Sequence, residues 1–454
     1  MSLVKYELDM TKGSIFKNTV RFALPLMLAN ILQLLYNAAD LVVVSRWAGN
    51  DAMASVGSTG ALTNLLINVF VGMSLGASVV VSRRYGAGDE KGLYRAVHTS
   101  VLLGIIAGIS SLLSGFALSK PLLVLMDTPE GKVLDGAVLY MKIIFIGTPA
   151  VMVYNFGAAI LRAVGDTKRP LYILALSGIV NVILNLILVI GFGMGVEGVA
   201  IATAISNYLS MFMVLYALSG ADSTYRLHLR EIKIYKEELK EILKIGLPAG
   251  LQGSVFSLAN TVIQSAVNSF GTVAMAGNAA GANIEGFVYT AMNSFYQATV
   301  TSVSQNYGAK EEKRIYKGIC VSMVCVIAVG IILGGVSVIF AKELLHIYIT
   351  DSPQAIEFGV KRMMITGLPY FLCGIMEVMT GALRGLGYSS MTAINSLLGA
   401  CGFRMFWIFG VLPMKRIPEV LFLCWPFSWL VVILMHVFCF IIVRKKAINK
   451  MYNE

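Results

Sequence analysis

The sequence of 454 residues is 57% hydrophobic and only 13% charged, and its mean hydropathy is +0.76. A soluble domain usually carries about 25% charged residues, so 36 basic and 25 acidic residues cannot cover soluble domains of this total size. The net charge of +11 lies in short clusters between long apolar segments. This distribution argues against a nucleic-acid-binding protein and indicates an integral membrane protein.

A membrane-spanning helix needs about 20 mostly apolar residues, and the chain contains twelve segments of this kind. They lie at 22–44, 55–82, 97–118, 137–160, 171–192, 195–219, 243–270, 273–303, 317–340, 361–383, 390–412 and 418–442. Their length and their lack of two-residue alternation exclude the strands of a membrane barrel. The predicted fold is an all-α membrane protein with twelve transmembrane helices and both termini on one side.

The distribution of lysine and arginine predicts the orientation. Of these residues, 26 lie on the side of the termini, 9 lie on the opposite side, and Arg404 lies inside a span. The positive-inside rule therefore places both termini in the cytoplasm. We expect a multi-pass protein of the cell (plasma or inner) membrane, a monomer that contacts membrane lipids and no nucleic acid.

The sequence repeats itself after 222 or 223 residues. The recurring pairs are Leu24-Pro25 with Leu247-Pro248, Tyr85-Gly86-Ala87 with Tyr307-Gly308-Ala309, and Leu161-Arg162 with Leu383-Arg384. Two halves inserted in the same orientation predict two pseudo-symmetric six-helix lobes, 1–220 and 243–454, with a cavity between them as in transporters. The polar segment 221–242 is the predicted cytoplasmic linker, and we expect it to form an amphipathic helix.

Three patterns known from soluble enzymes occur without the context that their chemistry needs. They are Gly72-Met-Ser74-Leu-Gly76, Gly193-Met-Gly195-Val-Glu-Gly198 and Ser14-Ile-Phe-Lys17. No strand precedes the first pattern, so its small residues indicate close helix packing rather than a nucleophile elbow. The six cysteines show no metal-ligand spacing. The chain is therefore predicted to be neither an enzyme nor a cofactor-binding protein.

Three acidic residues, Asp40, Glu285 and Glu377, fall inside predicted spans. An ionised acid at the bilayer centre costs about 2.5–3.5 kcal/mol on the insertion scale, so each should face a cavity or a partner. The alternative for each is a buried acid that is hydrogen-bonded only for helix packing. The polar residues one or two turns before Asp40 are Gln33, Tyr36 and Asn37. Their presence favours a functional role for Asp40.

Amide side chains form a second polar cluster in the first half of the chain. Asn181 and Asn185 are one helical turn apart and share a face, and Thr203 lies in the next span. Together with Asp40 they would form an oxygen-rich site. Such a site suits a hard cation or a titrating carboxyl group.

From about Phe16 to Val443 the sequence resembles the multidrug and toxic compound extrusion (MATE) family, of the multidrug/oligosaccharide-lipid/polysaccharide exporters. The most specific motifs are Tyr36-Asn37-Ala-Ala-Asp40, Leu161-Arg162-Ala-Val-Gly165-Asp166, Gln305-Asn306-Tyr307-Gly308 and Gly381-Ala-Leu-Arg384-Gly. The resemblance implies twelve helices in two lobes that open alternately to either side. It also implies export of organic cations or other amphipathic drugs, driven by inward Na⁺ or H⁺.

The resemblance also implies roles for individual residues. Asp40, Asn181, Asn185 and Thr203 match the amino-terminal cation site of prokaryotic relatives, and Pro25 matches a proline that bends the first helix. The sequence departs from the family in two places. Asn185 stands where many relatives have a second aspartate, which weakens the case for Na⁺. Phe256 stands where one subgroup has a glutamate in the seventh helix, so that subgroup's site cannot be carried over.

The sequence therefore predicts a secondary-active efflux antiporter that exports cationic or amphipathic small molecules in exchange for H⁺ or Na⁺. The predicted cation-coupling residues are Asp40, Tyr36, Asn181, Asn185 and Thr203. A metal site at Asp40, Asn181, Asn185 and Thr203 is expected only if Na⁺ is the coupling ion. The predicted substrate-binding residues are Glu285, Glu377, Gln33 and Asn37, with Glu285 the first choice. The predicted conformational residues are Pro25 and Pro248.

Two other functions are the alternatives to an antiporter. A flippase for lipid-linked oligosaccharide precursors should hold several basic residues in its cavity for the pyrophosphate, whereas only Arg404 lies clearly inside a span. An ion channel would need a selectivity filter or a ring of charges, and the sequence shows neither. The flippase is the alternative that stays open.

Overall fold

The computed structural model describes residues 6–48, 50–126, 131–221, 224–350 and 352–453. Within these ranges the chain is helical and contains no β-strand. The chain forms two compact units. Unit 1 is Met1–Asp9 with Leu28–Ser254, and unit 2 is Met10–Met27 with Val255–Glu454. The all-α prediction is confirmed for the described residues, whereas the lobe boundaries at 220 and 243 stay a prediction.

Long helices form unit 1. They are α1 (Ile15–Val43, which begins in unit 2), α2 (Asn50–Gly86), α3 (Glu90–Leu125), α4 (Lys132–Ala163), α5 (Lys168–Asn185), α6 (Val196–Ser219) and the first part of α7 (Lys236–Asn268). Short π-helical segments extend α1 and α5, at Val44–Ala48 and Leu186–Gly191. Helix α4 packs against α2, α3 and α6 and is the centre of this unit.

Unit 2 contains the end of α7 and further helices, several of which are short. They are α8 (Thr272–Gly308), α9 (Glu312–Ile339), α10 (Ala341–His346), α11 (Pro353–Gly367), α12 (Tyr370–Gly385), α13 (Ser389–Ser396), α14 (Phe403–Phe406) and α15 (Pro418–Asn453). Two π-helical segments, Leu397–Gly402 and Trp407–Val411, flank α14. A 46° bend separates α11 from α12.

Ten helices in the described ranges are long and apolar enough to cross a membrane, and eleven if the bent pair α11 and α12 counts as one span. The predicted number of twelve is therefore not confirmed. The missing predicted span is 273–303, which coincides with α8. This helix has the length to cross a bilayer, but Asn278, Glu285 and Asn293 are among the residues that lower its hydropathy.

The outer surface of both units is apolar. Leu113 in unit 1 and Leu434 in unit 2 are 64% and 69% exposed, and many other large hydrophobic side chains are exposed with them. Large exposed apolar surfaces are rare on soluble monomers. Together with the apolar helices, this surface identifies a multi-pass membrane protein.

Glycines in α2 and α7 allow two helices of unit 1 to approach closely. A Cβ atom added to Gly72 would lie 2.2 Å from the Cα of Gly250, and one added to Gly76 would lie 2.2 Å from the carbonyl oxygen of Ile242. Only a residue without a Cβ permits this contact. The interpretation of the 72–76 pattern as a packing motif is therefore confirmed.

The linker between the predicted lobes is not one amphipathic helix. Residues 222 and 223 lie outside the described residues, and 224–235 contain only the 3₁₀ turn Leu229–Glu231 before α7 begins at Lys236. Side chains of α3 accept hydrogen bonds from backbone amides of this segment, which in a helix would donate to backbone carbonyl oxygens. His98 Nε2 accepts from the amide of His228 at 3.1 Å, and Thr99 Oγ1 accepts from the amide of Tyr235 at 3.1 Å.

Candidate functional site

The Asp40 carboxylate meets the amide of Asn185 in unit 1, where α1 lies beside α5. Asn185 Nδ2 donates a hydrogen bond to Asp40 Oδ1 at 2.5 Å. Asp40 is partly exposed, whereas Asn185 is fully buried. The acid therefore has a buried hydrogen-bond partner and is itself partly exposed.

The hydrogen bonds continue from Asn185 to α6. Asn185 Nδ2 also donates to Asn181 Oδ1 at 3.3 Å, and Asn181 Nδ2 donates to Thr203 Oγ1 at 3.4 Å. Thr203 in turn donates to the backbone oxygen of Val199 at 2.9 Å. The structure thus brings together Asp40, Asn181, Asn185 and Thr203, and we refer to these four residues as the Asp40 cluster.

One hydrogen-bond acceptor of the Asp40 cluster is unsatisfied among the described residues. Asn185 Oδ1 is buried and has no hydrogen-bond partner in the described part of the chain. Buried polar atoms are nearly always paired, and carboxylate, amide and hydroxyl oxygens are the ligands that hard cations take. The cluster fits a transported cation for this reason. It also fits a proton, because a rotated Asn185 amide would present Oδ1 to a protonated Asp40.

Tyr36 lies one turn before Asp40 and holds α1 against α5. Its hydroxyl donates to the backbone oxygen of Ala175 at 3.1 Å. A Cβ atom on Gly178 would lie 1.8 Å from the Tyr36 ring, so the ring packs directly on this glycine. The structure therefore places Tyr36 beside the Asp40 cluster as a contact between helices, and its hydroxyl bonds to backbone.

The other polar residues of α1, Gln33 and Asn37, are exposed. They lie in the same stretch of helix as Asp40, and they make no hydrogen bond within the described ranges. Both side chains are therefore not covered by the rest of the described chain.

Glu285 in unit 2 forms a buried ion pair that no sequence pattern indicates. Arg362 Nη2 donates to Glu285 Oε2 at 2.7 Å, and the Thr366 hydroxyl donates to the other carboxylate oxygen. The Glu285 and Arg362 side chains are only 6% and 7% exposed. Arg362 also donates to Asn278 Oδ1. A substrate cation would therefore have to compete with Arg362 for Glu285.

Glu377 lies on α12 and is more accessible than Glu285. Its carboxylate interacts with the hydroxyl of Tyr289 and with the charge of Arg384. Arg384 donates to the hydroxyl of Tyr296 at 2.6 Å. Glu285 and Glu377, the two acids predicted inside spans of unit 2, thus have an arginine nearby, unlike Asp40, whose described partners are neutral.

Two arginines besides Arg404, the one predicted to lie clearly inside a span, are buried in unit 2. Arg362 and Arg384 are 6% and 8% exposed, close to the 6% of Arg404. Both lie near the ends of the span 361–383, and arginines in such positions are expected in loops. Both are instead buried residues of α11 and α12.

The two predicted conformational prolines lie inside long helices. Pro25 is within α1 and Pro248 is within α7. Each of these helices passes from one unit to the other, at residues 27–28 and 254–255. A proline removes one backbone hydrogen bond from a helix and weakens it locally.

The model of the MatE family matches the chain twice, at residues 25–187 and 248–409. The chain belongs to the MatE family. The two matches begin at Pro25 and Pro248 and so agree with the internal repeat. The resemblance noted from the sequence motifs is therefore confirmed.

Curated relatives of this MatE chain match over most of their length. The probable multidrug resistance protein YoeA of Bacillus subtilis is 29% identical over an alignment of 410 residues. The match covers 86% of this chain and 86% of YoeA. The probable multidrug resistance protein NorM of Thermotoga maritima is 29% identical and covers 82% of this chain and 80% of its own. The multidrug export protein MepA of Staphylococcus aureus is 24% identical over 85% of both.

Solved structures share the fold of the MatE chain. An outward-facing multidrug resistance MATE family transporter of the MOP superfamily superposes with a TM-score of 0.89, 21% identity and full coverage of both chains. A MOP superfamily transporter from Pyrococcus furiosus, described as having a binding pocket of reverse polarity, gives 0.89 at 20% identity and covers 100% of this chain and 99% of its own. These similarities concern the fold alone.

Proposed function

We propose that this protein is a secondary-active exporter of amphipathic and cationic small molecules, exchanged for inward H⁺ or Na⁺ by alternating access. Membership of the MatE family and the multidrug resistance and export names of its relatives support drug efflux. The observation that carries the proposal of ion coupling is the Asp40 carboxylate, bonded to Asn185 next to an unsatisfied buried acceptor.

Asp40 has the chemistry that coupling requires. One elementary charge that crosses 100 mV releases about 2.3 kcal/mol, and this energy is usable only if a site binds the ion in one state and releases it in another. An ionised Asp40 accepts the Asn185 hydrogen bond and attracts a cation, whereas a protonated Asp40 donates a hydrogen bond itself. Either change would alter the contact between α1 and α5.

The identity of the ion determines which atoms take part. With Na⁺, the proposed ligands are oxygen atoms of Asp40, Asn181, Asn185 and Thr203. With H⁺, only Asp40 titrates and the three neutral residues orient it. Tyr36 would keep α1 in register with α5 in both cases.

On the substrate side, we propose that Gln33 and Asn37 contact the drug, because both are exposed on α1. Of the two acids in unit 2, Glu377 is the more accessible partner for a cation. Glu285 could serve only if the substrate displaced Arg362. The backbone of α1 and α7 would bend at Pro25 and Pro248 during the transport cycle.

The membrane arrangement is part of the same proposal. It comprises twelve spans in two lobes of six helices and a monomer in the cell membrane with cytoplasmic termini. The Lys/Arg asymmetry supports the cytoplasmic termini, and the two-fold match to the family model supports the two lobes. With this orientation, export moves the drug away from the side of the termini.

A flippase for lipid-linked oligosaccharide precursors is the second candidate. The observation that favours it is the burial of Arg362 with Arg404, since a pyrophosphate would need several cations. In proteoliposomes a flippase would move a labelled lipid-linked oligosaccharide between leaflets. The exporter we propose would leave its distribution unchanged and would move a soluble drug.

Drug transport into everted membrane vesicles tests the proposed function. The lumen is loaded with Na⁺ in one sample and acidified in another, and accumulation of ethidium is measured after dilution into Na⁺-free or alkaline medium. We expect accumulation with one of the two gradients and none when both are absent. Failure to accumulate with either gradient would refute coupled efflux.

A further inference from the structure

Two buried arginines in unit 2 share one tryptophan. The guanidinium carbons of Arg362 and Arg404 lie 5.2 Å and 5.6 Å from the centre of the Trp425 ring. Both side chains belong to residues that are 6% exposed. Arg404 Nε donates to Ser428 Oγ at 2.9 Å, and the Ser428 hydroxyl is itself used as a donor to the backbone oxygen of Trp425. We refer to Arg362, Arg404, Trp425 and Ser428 as the arginine cluster.

The arginine cluster has an excess positive charge. Glu285 neutralises Arg362, but the ionisable groups that interact most strongly with the charge of Arg404 are the thiols of Cys373, Cys401 and Cys424 and the hydroxyl of Tyr370, all uncharged at neutral pH. Within the described ranges, no carboxylate forms an ion pair with Arg404. Arginine does not lose its proton in proteins, so its buried charge requires a partner.

Unused hydrogen-bond donors accompany this charge. The two terminal nitrogens of Arg404 donate to no described residue, and neither is among the fully buried atoms. Arg362 Nε is buried and also lacks a partner in the described part of the chain. A planar, bidentate acceptor such as a carboxylate matches the terminal nitrogens of an arginine.

Two residues of the arginine cluster occupy positions that correspond, through the internal repeat, to neighbours of Asp40 in unit 1. In unit 1 Asp40 lies near Tyr140 and Thr203. Adding the repeat offset of 222 residues replaces Tyr140 by Arg362 and Thr203 by Trp425. Asp40 corresponds to Val262 or, with an offset of 223, to Ile263, so its negative charge has no counterpart in the second repeat.

We propose that the arginine cluster binds the carboxylate or phosphate group of an organic anion, with an aromatic part of that molecule against Trp425. The terminal nitrogens of Arg404 hold the anionic group. In assigning this anion to the transported substrate, the inference rests on the proposed transport function. It extends the substrate range from cations to acidic and zwitterionic amphipathic molecules.

Equilibrium binding of two probes that share a naphthalene ring and carry opposite charges tests this proposal. The full-length protein is placed in lipid nanodiscs, and binding of 2-naphthoate and of 2-naphthylmethylammonium is measured by equilibrium dialysis, with empty nanodiscs as the blank. Wild type should bind naphthoate saturably. Arg404→Gln should weaken naphthoate binding about tenfold or more, because a charge-assisted hydrogen bond is lost, without weakening the ammonium probe.

Arg416→Gln is the matched control, because Arg416 is an exposed arginine in the same part of the chain, and this variant should bind naphthoate like wild type. Equal binding of naphthoate by wild type and Arg404→Gln would overturn the proposal. Saturable binding of naphthoate by wild type is required even if Arg404→Gln does not fold, so its absence would overturn the proposal by itself. Because no ion gradient is present, this failure would leave the test of coupled efflux unaffected.

Discussion

The buried ion pair between Glu285 and Arg362 makes a sharp prediction about stability. The two partners differ in the contacts that each would keep if the other were removed. Without Glu285, Arg362 keeps Asn278 as an acceptor and the face of Trp425. Without Arg362, Glu285 keeps only the hydroxyl of Thr366. Removing the arginine should therefore cost more than removing the acid.

The expected magnitudes follow from the burial of the pair. Arg362→Met leaves a buried carboxylate without its cation and should lower the free energy of unfolding by about 3–5 kcal/mol. Glu285→Gln keeps the shape and one acceptor, and it should cost about 1–3 kcal/mol. The double variant should be less destabilised than the sum of the two, by about 1–3 kcal/mol.

Unfolding by SDS in mixed micelles provides the measurement. Lys361→Met is the matched control, since Lys361 is the neighbouring residue and makes only exposed ion pairs at 3.5 Å with Glu357 and Glu419. Its removal should change stability by less than about 1 kcal/mol. Equal losses for Arg362→Met and Glu285→Gln, or losses that add in the double variant, would refute the account of the pair.

Two further predictions concern the fold and its orientation. A reporter fused to the carboxyl terminus should be read as cytoplasmic and one inserted at Gly131 as external; a reversed result in this reporter assay would overturn the orientation. Gly72→Ala should sharply reduce the yield of folded protein in size-exclusion chromatography, because its Cβ would meet Gly250 at 2.2 Å, whereas Gly60→Ala in the same helix should be tolerated, because nothing lies within 4 Å. Equal yields of the two variants would contradict the close packing of α2 and α7.

The arrangement of the Asp40 cluster follows largely from sequence patterns. The four-residue spacing of Asn181 and Asn185 places both on one helix face, and an acid in an apolar helix must find polar neighbours. The structure brings these residues together with Thr203. Their role in coupling remains a prediction.

The pairing of Glu285 with Arg362 could not be predicted in the same way. The two residues are 77 positions apart, and no local spacing connects them. Arg362 also lies one residue inside the predicted span 361–383, where the positive-inside rule treats an arginine as part of a loop. The contact between α8 and α11 that buries this side chain against Glu285 is a tertiary feature. The predicted linker helix is wrong for a related reason, since side chains of α3 bind the backbone of this segment.

Uphill transport by Asp40→Asn tests the central claim, that this carboxylate couples the ion to the drug. Asparagine keeps the size and the hydrogen bonding of Asp40 but can neither titrate nor carry a charge. Purified wild type, Asp40→Asn and the control Glu197→Gln, which changes an acid of α6 outside the Asp40 cluster, are reconstituted in liposomes with the gradient that drives the wild type. Ethidium accumulation is compared with its equilibrium binding. We predict that all three proteins bind ethidium and that only Asp40→Asn fails to concentrate it. If Asp40→Asn concentrates ethidium as the wild type does, coupling does not depend on Asp40.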